Sequence, residues 1–203
     1  MIDDGVIKYD RSNFTHSGPL KEELWSELEN WRVKLFKLNL IGEYPKEKVG
    51  FGNLSKLLNW DKQANFIITG TQTGKYPNLT GEHYTLVDGY DLKEMKLSQV
   101  GPLEASSEAL THAAVYESNK EITTVFHIHN TAIWEKMIQG NYDATPKEVP
   151  YGTQEMANCV GTLINGRSSG VIVMKGHQDG VIAYAKSLNE CGKLILELAD
   201  KYL

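Results

Sequence analysis

Two histidines one residue apart, in Phe126-His127-Ile128-His129, and a third in Met174-Lys175-Gly176-His177 are the residues of this chain best suited to chemistry. In an extended strand, side chains alternate between faces, so His127 and His129 point the same way while Phe126 and Ile128 pack on the other. Two imidazoles on one face, joined by one from a turn further on, can supply three nitrogen ligands to a divalent metal. A His-x-His pair alone is a moderate signal, because a half-exposed strand can carry two histidines without any ion. Its company strengthens it: Ser106-Ser107-Glu108, Gly52-Asn53-Leu54-Ser55 and a Gly/Thr-rich turn at 69–74.

These residues need elements to hold them. Residues 19–38 predict a first long helix, in which Leu20, Leu24, Leu28, Trp31 and Leu35 recur at steps of three and four, with Ser17 as its cap. Residues 46–59 resist assignment, since Gly50 and Gly52 break any helix. A short apolar strand is expected at 65–69 and another at 84–87. Ser106 or Ser107 caps a helix through Ser118; the histidine strand spans 121–129 and a helix follows at 131–139. Thr153 caps a helix that buries Met156, Val160, Leu163 and Ile164 and stops at Asn165-Gly166. Residues 170–174 read as a buried strand, and a last helix is expected from Gly180 to the C-terminus. Trp25, Trp31, Trp60 and Trp134 read as core or subunit-contact residues, and His16 and His83 as surface residues. No repeat period or Pro-, Gly- or Ser-rich linker divides the chain. Residues 1–203 are therefore expected to form one α/β domain, with roughly the first 20 residues as an N-terminal arm.

Composition narrows the function classes. A hydrophobic fraction of 41% and a charged fraction of 23% are those of an ordinary soluble protein. The formal net charge of -5 offers no electrostatic reason to bind nucleic acid or an anionic membrane, though a local site for a small anion remains compatible with it. The start Met1-Ile2-Asp3-Asp4 lacks the basic and apolar runs of a signal peptide, and no segment approaches the roughly 18 apolar residues of a membrane helix. A cytoplasmic location is expected. In that reducing compartment Cys159 and Cys191 read as small packed residues rather than a disulfide or thiolate ligands.

Taken in order, Gly-Asn-Leu-Ser, the Thr/Gly turn, Ser-Ser-Glu with His112 following, His-Ile-His, Tyr151-Gly152-Thr153 and Met-Lys-Gly-His resemble the class II aldolase/adducin head family from about Leu24 onward. The resemblance implies a three-layer α/β/α fold around a largely antiparallel sheet, commonly a homotetramer with sites between subunits. It implies a bound divalent metal, usually zinc, with manganese or iron as alternatives. His127, His129 and His177 match the ligand histidines, and Glu108 matches the acidic residue that completes the metal shell or acts as acid/base. The helix dipole alone also favours a carboxylate at that place. His112, one turn beyond Glu108, can orient it by a hydrogen bond or be an ordinary packed histidine. Asn53, Ser106, Ser107, Thr73 and Gly74 match positions that hold phosphate in sugar-phosphate members. Free helix-start N–H groups and hydroxyls suit that task, and turn chemistry accounts for each motif singly. Tyr151-Gly152-Thr153 is expected to shape the site's floor.

Two departures bear on function. The segment from His129 to Tyr151 is shorter than in sugar-phosphate aldolases, where it carries a tyrosine donated to the neighbour's site; Tyr142 is the one tyrosine within it here. Phe51 also stands where small residues and threonine are common, which predicts a narrowed or altered phosphate pocket. The leading expectation is a metal-dependent lyase acting on a small hydroxy-carbonyl compound, phosphorylated or not. The alternatives are a dehydratase or epimerase on the same metal site, a non-catalytic adducin-like head domain, and a purely structural metal. Epimerase members tend to carry aspartate at the Glu108 position, and non-catalytic heads lose the histidine set, so both are ranked lower.

Overall fold

The computed structural model describes residues 6–203. Its strands are β1 (Asp10–His16), β2 (Gly42–Tyr44), β3 (Val49–Phe51), β4 (Asn53–Trp60), β5 (Ala64–Thr69), β6 (Tyr84–Asp91), β7 (Lys96–Gly101), β8 (Thr124–His129), β9 (Asp143–Thr145), β10 (Gly170–Met174) and β11 (Gly180–Ala185). Its α-helices are α1 (Glu22–Lys37), α2 (Ala109–Ser118), α3 (Thr131–Gln139), α4 (Gln154–Ile164) and α5 (Leu188–Tyr202). Nine strands form one sheet in the order β1-β7-β6-β5-β4-β8-β11-β10-β9, while β2 and β3 pair as a separate hairpin. The inner pairings are antiparallel. Both outermost pairs, β1 with β7 and β9 with β10, are parallel. The sheet is thus mixed, which corrects the expectation of a largely antiparallel one: the two edge strands are added from distant parts of the chain rather than by hairpins.

Side-chain alternation along β8 explains the layering. Phe126 and Ile128 join Leu28, Trp31 and Leu35 of α1, Ile133 and Met137 of α3 and Ile195 of α5 in one core. Val125, on the opposite face, joins Ala109 and Ala113 of α2 and Met156 and Val160 of α4 in the other. Helices therefore cover both faces, and every residue of β8 is buried. Burying a Leu, Ile, Val or Phe side chain contributes roughly 1.5–3 kcal/mol, so two such cores anchor the central strand firmly. His127 and His129 share the parity of Val125, which places them on the α2/α4 side.

The α3 span, the Thr153 cap of α4 (its hydroxyl accepts from Met156 N) and the stop at left-handed Asn165 and Gly166 agree with the patterns read above. Three features differ. First, α1 starts at Glu22 with Lys21 at its cap position and no side-chain cap, because Leu20 N is already bonded to Gly81 O and holds the preceding chain extended. Second, Glu108 occupies the cap position of α2 and its own side chain makes no capping bond, while the expected serine cap is kept one step earlier, where Ser106 Oγ accepts from Glu108 N at 3.4 Å. Third, residues 180–185, expected as the start of the last helix, are strand β11 in full contact with β8. A continuous apolar run buried on both faces carries no period that separates strand from helix. Residues 46–59, left unassigned, are β3 and β4 separated by Gly52, whose φ of +78° is the left-handed turn that glycine permits. No helix among residues 6–203 is long and apolar enough to cross a membrane.

Candidate active site

Register assembles the site. The β4–β8 pairing sets Asn53 opposite His127, and the β8–β11 pairing sets Gly180 opposite His129. His177 enters from the tight connection between β10 and β11, held by His177 N to Met174 O (3.1 Å) and Gly180 N to His177 O (3.0 Å). Gly180 has to be small: a Cβ there would stand 3.1 Å from both His127 Cε1 and His177 Nδ1. The outcome is three buried imidazoles, each offering a nitrogen within 4.8 Å of the others'. Tyr151 stacks on His177 (ring centroids 4.7 Å, interplanar 26°) and Phe51 on His129 (5.5 Å, 27°).

Glu108, at the mouth of α2, points its carboxylate into this cluster. Its Oε2 lies 2.8 Å from His127 Nε2 and accepts from Asn53 Nδ2 at 3.1 Å; its Oε1 lies 3.3 Å from His177 Nδ1. Burial on its own raises the pKa of Glu108, but His127 and His177 outweigh it and hold the carboxyl well below the usual range. Burial pushes His129 well down from the ordinary imidazole value.

The donor set fits a cation. His127 Nδ1 lies 3.1 Å from the carbonyl of Val181, an acceptor only, so Nδ1 carries a proton and Nε2 is the nitrogen that faces the cluster and can offer its lone pair to an ion. That nitrogen meets His129 Nε2 at 2.8 Å and the Glu108 carboxylate at 2.8 Å. Acceptors that close, out of water, repel one another unless a proton or a metal ion lies between them. Asn53 Oδ1 is also buried without a hydrogen-bond partner among the described residues. The histidines and Glu108 are thus a suitable nest for a divalent ion.

A cleft opens beside the nest, lined by Asn53, Thr73, Gly74, Ser106, Ser107 and Glu108 together with His129, His177, Tyr151 and Phe51. The structure therefore brings together every candidate named from the sequence except His112, which is corrected. Its ring does not hydrogen-bond Glu108: Nδ1 bonds Ser55 Oγ (2.7 Å), which also meets Tyr116 Oη (2.6 Å), and Nε2 is buried without a partner among the described residues. Asn53 holds Glu108 instead. Thr73 donates its hydroxyl to Gly70 O (2.8 Å), so it shapes the turn as well as lining the cleft. Tyr142 packs on the core opposite the histidines, with Tyr202 Oη at 3.0 Å. Three nearby residues had no sequence signal, Arg32, Tyr44 and Asp179, and nothing in its motif signalled the partner of Ser55. The partners of all four lie 41 to 135 residues away in the chain, beyond the reach of local periodicity.

With this geometry in place, the comparisons decide the family. The profile of the Class II Aldolase and Adducin N-terminal domain matches residues 40–201. The chain belongs to that family. Comparison with curated proteins gave no match. Among solved structures, YgbL from Klebsiella pneumoniae, described as a candidate aldolase/epimerase/decarboxylase, is 20% identical, covers 88% of this chain and 86% of its own, and superposes with a TM-score of 0.67. The L-fuculose-1-phosphate aldolase from Thermus thermophilus is also 20% identical (89% and 91% covered, TM-score 0.64). A sugar-phosphate aldolase from Thermotoga maritima is 16% identical (88% and 91%, TM-score 0.62). At these identities the likeness is one of fold. Class II aldolases use a divalent metal, and the buried triad of this member can bind one.

Proposed function

We propose that this class II aldolase family member is a metal-dependent lyase that cleaves a small hydroxy-carbonyl compound of the sugar or sugar-phosphate kind. The observation that carries the proposal is the cluster of His127, His129, His177 and Glu108, buried and mutually acceptor-rich, opening on a cleft lined by hydroxyl and amide groups. In this reading the three histidines hold the ion, zinc before manganese or iron, since imidazole suits all three and the site is compact. A bound dication supplies the positive charge that stabilises an enediolate when a carbon–carbon bond beside a carbonyl breaks.

The chain's own residues do the rest. Glu108, aimed by Asn53, accepts the hydroxyl proton released as the carbon–carbon bond breaks and the hydroxyl becomes a carbonyl, and then delivers a proton to the enediolate carbon. Ser106, Ser107, Asn53 and the Thr73–Gly74 turn hold the substrate's anionic end. Phe51 and Tyr151 wall the histidines from water, which strengthens every charge interaction within.

The test is a metal assay followed by a cleavage screen. Protein purified without chelators should carry a stoichiometric transition metal, and His127→Ala should lose it. The loaded protein should cleave at least one member of a panel of hydroxy-carbonyl compounds, phosphorylated and not. Glu108→Gln should lower that turnover by roughly 10²–10⁴-fold while folding is kept. Full activity in Glu108→Gln would remove its role. Dehydration or epimerisation of the panel, without cleavage, would transfer the protein to the sister chemistry on the same site.

A further inference from the structure

Tyr44 projects from the β2–β3 hairpin to the side of His129 away from the other imidazoles. Its hydroxyl lies 2.8 Å from His129 Nδ1 and 3.3 Å from Asp179 Oδ2. Phe51, on the paired strand of the hairpin, contacts the Tyr44 ring (4.7 Å) and stacks on His129, so the hairpin grips the imidazole by one face and by one nitrogen. The grip is tight: a Cβ on Gly42 would come within 2.9 Å of the Phe51 ring, and one on Gly74 within 2.1 Å of Gly42 O. Asp179 is buried and sits at φ +66°, in the left-handed region that non-glycine residues rarely adopt. Its backbone carbonyl accepts from Asn130 N at 2.9 Å, so the same residue also fixes the chain just beyond His129.

A phenol has one proton, and it faces two acceptors here. When His129 Nε2 keeps a proton, Nδ1 carries the lone pair and accepts from Tyr44. When Nε2 gives its lone pair to an ion, Nδ1 must carry the proton, and Tyr44 Oη can accept it only by turning its own hydrogen elsewhere. Asp179 Oδ2 is the acceptor positioned for that turn. His127 needs no such device, because the Val181 carbonyl already holds its Nδ1–H.

We propose that Tyr44 and Asp179 form a positioning relay for His129, in which His129 Nδ1–H donates to Tyr44 Oη and Tyr44 O–H donates to Asp179 Oδ2 whenever His129 Nε2 ligates the metal. The proposal rests on the metal reading above. Tyr44 and Asp179 are positioning residues: they set the tautomer and ring plane of a ligand without touching substrate. Outer partners of this kind, when removed, cost metal affinity by roughly 10–100-fold.

The experiment measures zinc and cobalt affinity by competition with a chromophoric chelator. Tyr44→Phe keeps the ring against Phe51 and removes the hydroxyl, and should weaken affinity by roughly 10–100-fold. Asp179→Gly tolerates the backbone conformation and should weaken it comparably. The double variant should be no weaker than the worse single one, as for two residues acting in series. The cobalt-loaded Tyr44→Phe protein should show an altered visible spectrum. Long-range proton–nitrogen NMR of the zinc-loaded wild type should find Nδ1 protonated in His129. Tyr142→Phe, a phenol outside the site, should bind metal like the wild type. Unchanged affinity and spectrum in Tyr44→Phe, additive losses in the double variant, or a protonated Nε2 in zinc-loaded His129 would each overturn the relay and leave the metal reading standing. A wild type that binds no metal at all would overturn the metal reading, and the relay with it.

Discussion

His112 has a ring that is fully buried and engaged to Ser55, and burial lowers its pKa to about 3 from an ordinary value near 6.5. Between those two values the unfolded chain binds the proton and the folded one does not, so stability rises with pH across that window. The contribution is complete above pH 6.5, declines as pH falls from there, and is gone near pH 3, with a total on the order of 5 kcal/mol at most. Replacing His112 by Gln removes the titrating group and retains a polar contact for Ser55. Urea denaturation of metal-free protein at several pH values should show the wild type losing stability more steeply than His112→Gln below pH 6.5. Parallel acid limbs would show that His112 does not carry this dependence.

Among the elements, α1 reaches the cleft through one side chain. Arg32, 1% exposed, donates to the carbonyls of Thr73, Gly74, Tyr76 and Pro77, and so holds the turn that lines the cleft. Glu29, one turn earlier, neutralises it at 3.7 Å and itself accepts from Leu79 N (2.8 Å) and Tyr84 Oη (2.6 Å). A helix is thereby bonded to a loop it does not precede, and the loop's carbonyls are drawn towards Arg32. Removing one partner of a buried pair leaves an uncompensated charge, which costs about 3–5 kcal/mol. Arg32→Met should therefore lower unfolding free energy by that order. Hydrogen exchange should also quicken at residues 70–77, with the exchange of β8 less affected. An Arg32→Met protein as stable as the wild type, with an unaltered turn, would mean that the four carbonyl bonds contribute nothing net.

The scale of the whole molecule raises the question of assembly. Within its own chain Tyr142 is engaged with Tyr202 Oη at 3.0 Å on the face of the sheet opposite the histidines. We propose a homotetramer, the assembly that the family resemblance implies. Light scattering on the eluted protein should give four times 22.8 kDa, about 91 kDa, across dilution. A mass of one subunit would remove the tetramer. It would also mean that the cleft works with one chain's residues alone.

Local pattern was enough for much of this protein. The period-two face of Phe-His-Ile-His, the helix at 131–139, the Thr153 cap, the Asn165-Gly166 stop and the strand at 170–174 were all legible, because each depends on residues within a few positions of one another. The ordered motifs also pointed to the family that the match over residues 40–201 shows. Residues 180–185 were misread because burial on both faces of a central strand erases the alternation that marks a strand, and only pairing with β8 decides it. Parallel pairing at both sheet edges was equally illegible, since it joins β1 to β7 and β9 to β10 across long stretches of chain. The partners of the site residues follow the same division. Asn53 meets Glu108 across 55 residues, Ser55 meets His112 across 57, and Tyr44 meets His129 across 85. Sequence spacing determines which side chains share a face of one element; which side chains from different elements meet is decided by register and layer packing, and that is where the tertiary structure supplied the chemistry around the histidines.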